Sequence, residues 1–325
     1  MTKAIVIHAY GGPEVLKLED IDVGAPGAGE IRVRHTAIGL NYIDVYMRTG
    51  LYPLPQLPGA IGMEGAGVVE AVGGGVTDLA VGDRVAYASP PPGSYAEERI
   101  IGADRVVKVV DAISDKTAAA MMLQGMTAQY LLRQTYRVQA GDTILMHAAA
   151  GGVGLIVCQW AKHLGATVIG TVGTPEKADL AKAHGCDHTI LYRDENFKDR
   201  VMALTDGQGV NVVYDSIGKD TFMDSLACLK VRGTMVTFGN ASGPVDAFEP
   251  GILGKMGSLY VTRPTLFNYA HDKASITAMA GELMDLIAKG IIKIEINQEY
   301  PLKDVAQAHM DLEARKTTGS TILIP

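Results

Sequence analysis

Residues 143–172 read TILMHAAAGGVGLIVCQWAKHLGATVIGTV. An apolar strand runs into a glycine-rich turn. A helix follows through Trp160 and Leu164, and a second strand, TVIGTV, comes after it. This is the context that a phosphate-cradling turn requires. Set against G-x-G-x-x-G, the turn reads Ala149-Ala150-Gly151-Gly152-Val153-Gly154, with alanine in the first glycine position. Gly151 and Gly152 let the backbone approach a pyrophosphate. Val153 lies between them and Gly154, which lets helix and strand pack closely, and the helix start offers free N–H groups. The bland alternative is an ordinary tight turn between strand and helix.

The surroundings favour the dinucleotide reading. PEKADLAKAH reads as a helix, HTILY as a strand, ENFKDRVMAL as a helix, VNVVYDSIG as a strand and TFMDSLACLK as a helix. GTMVTFGN and GSLYVT then read as strands. Such alternation predicts βαβ crossovers and a parallel sheet, hence an α/β fold. Residues 1 to about 112 differ. IRVRHTAIGL, GAGVVEAVG, DRVAYA and RVVKVV are short β-like runs between Gly and Pro. Ser114 is placed to cap a helix through AAAMMLQGMTAQYLL. Near the end, a helix over 273–289 precedes TILIP, a strand able to return to the first domain. The division expected is 1–123 with 264–325 as a β-rich domain, and 124–263 as the dinucleotide domain.

Composition narrows the function classes. The length of 325 residues suits two domains. A net charge of −7 opposes nucleic acid as primary partner, and no long apolar run suits a membrane span. Three scattered cysteines, Cys158, Cys186 and Cys228, argue against a disulfide framework and for the cytoplasm.

The strand after the turn ends TVGTPEK. Gly173 stands near the slot where an NAD enzyme places an acid. Thr174 caps the next helix, and Lys177 lies in its first turn, where it can pair with a 2′-phosphate. The expected cofactor is therefore NADPH. The plain alternative for Lys177 is a solvated surface charge.

Residues 59–67 read GAIGMEGAG. Together with AIGLNYIDVYMRTGLYP, HAAAGGVG, VVYDSIG, VTFGN and GSLYVTRP, this loop makes the whole chain resemble the zinc-free, zeta-crystallin-like quinone oxidoreductases of the medium-chain dehydrogenase/reductase superfamily. The resemblance implies a GroES-like catalytic domain, a Rossmann-type doubly wound domain, an active site in the cleft, and a homodimer or homotetramer. It also implies NADPH-dependent reduction of a small-molecule quinone. Zinc members bind metal through a C-x-T-D segment and a G-H-E loop. Here those positions hold Asn41 and Met63, poor zinc ligands, and no cysteine precedes Cys158. No metal is expected. The run His184-Gly185-Cys186-Asp187-His188 reads as a helix-ending turn.

The resemblance places Asn41 beside the nicotinamide ribose and Thr127 on the helix that touches nicotinamide. Tyr46 and Tyr52 would wall the acceptor pocket, or stand as surface tyrosines of a loop. Tyr192 resembles the family tyrosine near the adenosine phosphate. Ser216, Gly218, Phe238, Gly239 and Asn240 end strands, where ligands of open α/β sheets sit. Arg263 and Arg315 are carried over from the family. Arg315 would reach the 2′-phosphate end or remain a surface charge. Two other functions stay open. One is reduction of the C=C bond of enones or alkenals, with Tyr46 or Tyr52 as proton donor. The other is a non-catalytic crystallin-like or RNA-binding role.

Overall fold

The computed structural model describes residues 1–325. Its contacts divide the chain into two units. The first comprises Met1–Met126, Tyr269–Lys289 and Ile294–Pro325, and the second Thr127–Asn268 and Gly290–Lys293.

The first unit is built on the strand Glu30–Leu40. It pairs antiparallel with Glu64–Val72, Glu98–Gly102 and Ser320–Ile324. Its residues alternate in burial as far as Ala37, as a strand with one buried face must. From Ala37 to Leu40 all are buried. The two ends serve different cores: Ile31 and Val33 pack with Val69, Val85 and Tyr87, whereas Ile38 and Leu40 pack with Ile5, Tyr95, Val305 and Leu323. Register irregularities within the pairing with Glu64–Val72 accompany the change. The terminal strand Ser320–Ile324 joins this sheet as expected, and also pairs parallel with Ile296–Pro301.

Two readings of this unit need correction. RVVKVV forms only the two-residue strand Val107–Lys108, because Ala103–Arg105 coils into a 3-10 turn. Tyr42–Thr49, within a region read as β-rich, is a helix. It starts after Asn41, whose backbone N–H donates to Asp44 Oδ2 at 2.9 Å, and stops at Gly50 with φ 82°.

The second unit is a parallel six-stranded sheet. In space its strands run His188–Leu191, Thr167–Val172, Thr143–Met146, Val210–Asp215, Leu229–Thr237 and Tyr260–Thr262. Numbered along the chain within the sheet, this is the order 3-2-1-4-5-6 of doubly wound dinucleotide folds. The central strands are apolar and buried along nearly their whole length, as strands covered on both faces must be. No helix is long and apolar enough to cross a membrane.

Candidate active site

The glycine turn leaves the strand Thr143–Met146 and opens the helix Gly152–His163. Gly151 occupies the N-cap and supplies no side-chain acceptor, so the first N–H groups remain available for an anion. A Cβ on Gly154 would lie 2.3 Å from the Ala148 carbonyl oxygen and 2.7 Å from the Ala149 carbonyl carbon. Both are backbone atoms, so only glycine fits. Ala149, in the first glycine slot, donates its N–H to Thr171 O at 3.1 Å and so prolongs the sheet pairing.

At the end of the adjacent strand, Gly173 and Tyr192 meet: a Cβ on Gly173 would stand 2.9 Å from the tyrosine oxygen. Thr174 caps the helix Pro175–Ala183, its Oγ1 accepting the Lys177 N–H at 3.3 Å. Lys177 is half-buried in the first turn. On the other side of the glycine turn, the strand Val210–Asp215 delivers Asp215. Its Oδ1 accepts N–H bonds from Ile217 (2.7 Å) and Gly218 (3.1 Å), and its Oδ2 accepts from Thr221 (2.7 Å). The loop carrying Ser216 and Gly218 is thus tied to a buried carboxylate. Phe238–Asn240 pack directly on it, with a Cβ on Gly239 falling 2.5 Å from Ser216 O. His147 lies beneath, bridging Thr171 and Ser225 at 2.9 Å each, and burial holds it below its usual protonation range. Neither Asp215 nor His147 was singled out in the sequence. The partners of His147 lie 24 and 78 residues away, outside any local pattern. The Ile217, Gly218 and Thr221 donors to Asp215, in contrast, follow within six residues and mark a carboxyl-anchored turn.

The remaining dinucleotide candidates are more scattered. Thr127 is buried on the helix Asp115–Tyr130, and Arg263 follows the strand Tyr260–Thr262, with Nη1 donating to Pro264 O at 3.1 Å. Arg315 belongs to the first unit, in the turn after the helix Val305–Glu313, with φ 58°.

In the first unit, Asn41 is buried between two partners. Its Nδ2 donates to Glu64 Oε2 at 2.6 Å, and its Oδ1 accepts from Gln124 Nε2 at 3.1 Å. Burial lifts Glu64 to about 8, against the bonds from Asn41 and the Leu123 N–H. Burial likewise lifts Asp44 to about 7. Tyr46 is buried on the helix Tyr42–Thr49, rather than standing on a loop surface. It meets Tyr52 edge-on at 5.2 Å and Tyr42 at 5.6 Å, forming one aromatic group.

Zinc does not fit these donors. Met63 is fully buried, Asn41 is already engaged at both ends, and the three cysteines are buried in the second unit. No three His, Cys, Asp or Glu side chains are grouped to hold a metal ion. Around the His184–His188 turn, Gly185 has φ 91° and Cys186 points inward, with Sγ 3.7 Å from Val168 O.

Residues 27–140 match the alcohol dehydrogenase GroES-like domain, and residues 152–281 the domain described as zinc-binding dehydrogenase. The chain is 57% identical to a quinone oxidoreductase of Pseudomonas aeruginosa over the full length of both. It is 46% identical to a 2-haloacrylate reductase of a Burkholderia species, covering 100% of this chain and 99% of that one. The crystal structure of Escherichia coli quinone oxidoreductase complexed with NADPH superposes with a TM-score of 0.98 at 49% identity, over 99% of this chain and 100% of that one. The chain belongs to the quinone oxidoreductase family of the medium-chain dehydrogenase/reductase superfamily, and it is an oxidoreductase.

Proposed function

We propose that this protein reduces small quinones with NADPH, without a metal. The observation that carries the cofactor choice is the end of the strand Thr167–Val172. It offers Gly173 in place of an acid, and then a capped helix start with Lys177 in its first turn. When bound, NADPH supplies the hydride. The residues of the chain bind and orient. Gly152, Val153 and Gly154 present backbone N–H groups to the pyrophosphate, and Gly151, whose N–H donates to Ala148 O at 2.9 Å, shapes the turn that lets the pyrophosphate approach. Lys177 pairs with the 2′-phosphate, and Tyr192 flanks the adenosine end. Asp215 holds the 216–218 loop for the ribose and nicotinamide. Asn41 donates to the nicotinamide end, and the Tyr46–Tyr52 pair gives an aromatic wall to a flat acceptor. Because a reduced quinone takes its proton readily from water, the site needs no dedicated acid.

The test is a set of initial rates with 1,4-benzoquinone and 9,10-phenanthrenequinone, using NADPH and NADH in parallel, with and without EDTA. Oxidation that prefers NADPH and ignores EDTA is expected. Loss of activity with EDTA would overturn the metal-free reading, and a preference for NADH would overturn the role of Lys177. The haloacrylate-reducing relative supports a second reading, reduction of an activated C=C bond, for which the Tyr46–Tyr52 pair offers phenol donors. Turnover of 2-chloroacrylate, with none of either quinone, would select it.

A further inference from the structure

Four buried side chains form one hydrogen-bonded line through the first unit. Ser320 Oγ donates to Gln124 Oε1 at 2.8 Å, and Gln124 Nε2 donates to Asn41 Oδ1 at 3.1 Å. Asn41 Nδ2 donates to Glu64 Oε2 at 2.6 Å, and the Leu123 N–H donates to Glu64 Oε1 at 2.8 Å. Their exposures are 2% for Ser320, 8% for Gln124, 4% for Asn41 and 1% for Glu64. Every bond between side chains runs in the same sense. A carboxamide has one donating and one accepting end, so turning one amide obliges its neighbour to turn as well. Glu64 ends the line with a donor on each oxygen. It is a pure acceptor as the carboxylate, the form that burial opposes below about 8, so the sense of the line is fixed where Glu64 is ionised.

Ser320 Oγ also lies 3.4 Å from Ala120 O, so its hydroxyl can reverse its role, and the sense of the line is set from the Glu64 end. The Asn41 backbone N–H is held by Asp44 Oδ2, which also accepts from Tyr95 at 2.8 Å, so the main chain is pinned independently. Glu64 lies directly on the strand backbone: a Cβ on Gly39 would fall 2.3 Å from its Oε2. One hydrogen on Asn41 Nδ2 remains after Glu64 has taken the other.

We infer that Glu64 and Gln124 are positioning residues that fix the sense of the Asn41 carboxamide, so that a bound ligand meets its N–H and not its carbonyl oxygen. The inference rests on the proposed reading of Asn41 as a ligand-contacting group. It assigns a ligand chemistry: an oxygen acceptor, such as a ribose hydroxyl or a carboxamide oxygen of the nicotinamide end.

Glu64→Gln is the decisive variant. Its shape is unchanged, but its new NH2 must face either the Leu123 N–H or the Asn41 Nδ2. The side chain of Asn41 can turn to relieve the conflict, whereas the backbone of Leu123 cannot. NADPH titration followed by fluorescence, at a pH above 8 where Glu64 is ionised, is expected to show at least a tenfold loss of affinity. The exchange variant Glu64→Gln/Asn41→Asp restores a complementary line, since the carboxylate introduced at position 41 accepts from both neighbours. It is expected to regain the thermal midpoint but not the affinity, because it offers only oxygen to the ligand. Should Glu64→Gln fail to fold, Gln124→Glu sets an acceptor against Asn41 Oδ1 and is expected to lose affinity to the same degree.

Wild-type affinity in Glu64→Gln, or in Gln124→Glu where that variant stands in, would overturn the inference. So would an exchange variant that recovers stability and affinity together, because the line would then serve folding alone. If the wild type turns over quinone with NADPH and Asn41→Ala binds NADPH equally well, the proposed function stands and the inference fails. If the wild type does not bind NADPH, the functional reading fails and the inference with it.

Discussion

Tyr95 shows how a single hydroxyl holds a buried site together. Its oxygen donates to Asp44 Oδ2 at 2.8 Å and meets His309 Nε2 at 3.1 Å. Arg48 Nη1 donates to His309 Nδ1 at 3.1 Å, so the imidazole carries its proton on Nε2 and gives it to Tyr95. Arg48 in turn grips Glu313 through both of its terminal nitrogens, at 2.8 and 2.9 Å. Tyr95→Phe keeps the ring and leaves both a buried acceptor and a buried donor short of a partner. A loss of about 1–3 kcal/mol is expected, read by urea denaturation, with little change in kcat. Lys177 is the opposite case, a residue whose loss should spare the fold. Lys177→Ala removes a charge-assisted bond, so the KM for NADPH should rise roughly tenfold or more while that for NADH stays within about twofold. Equal effects on the two cofactors would place the 2′-phosphate elsewhere.

At the scale of elements, the glycine turn is the feature on which most depends. Gly154→Ala drives a methyl group into the carbonyl of Ala148 and the backbone of Ala149, so helix and strand must separate. The expected outcome is a lowered thermal midpoint together with at least a tenfold weaker grip on NADPH, checked by scanning fluorimetry and titration. This turn was legible in the sequence because its meaning is local: an apolar strand, glycines and a helix within thirty residues. The strand ends at Gly173, Ser216 and Phe238 were legible for the same reason. The helix Tyr42–Thr49 was not, because Tyr, Ile, Val and Thr dominate it and favour strands. Its start and stop signals, Asn41 three residues before Asp44 and a closing Gly50, were nevertheless present. The line Ser320–Gln124–Asn41–Glu64 was out of reach for another reason. Its members are brought together by strand pairing and by the helix Asp115–Tyr130 packing on the sheet, across as many as 196 residues, and nothing near Gln124 or Ser320 in the sequence points to that contact.

At the scale of the whole molecule, its buried titratable groups set the pH dependence of stability. Burial raises Asp44 to about 7 and Glu64 to about 8, and it lowers His35 to about 4 and His309 to about 3. A carboxyl raised in the folded state keeps a proton that the unfolded chain has lost. Its stabilising effect is therefore full at low pH and disappears as pH climbs through 7 and 8. A histidine held neutral by burial acts in reverse, costing stability below its ordinary 6.5 and nothing above it. Between about pH 4.5 and 6.5 the two carboxyls lower stability as pH climbs, while His35, His309 and His147, which burial also holds below its ordinary range, raise it, so the stability curve should be flat or rise gently. Above about 6.5 only the carboxyls still change. Stability should then fall toward about pH 8.5, with a slope of at most about 1.4 kcal/mol per pH unit for each proton released. The charged or polar groups facing Glu64 are Asp44, which raises it, and Asn41 with the Leu123 and Met122 N–H groups, which lower it. Thermal midpoints at pH 5.5, 6.5, 7.5 and 8.5 and constant ionic strength would measure this. In Glu64→Gln, the part of the decline nearest pH 8 should be absent and the part nearest pH 7, set by Asp44, retained. A midpoint that rises from pH 6.5 to 8.5 would mean that both carboxyls are already ionised at 6.5, so that their hydrogen bonds outweigh the cost of burying charge.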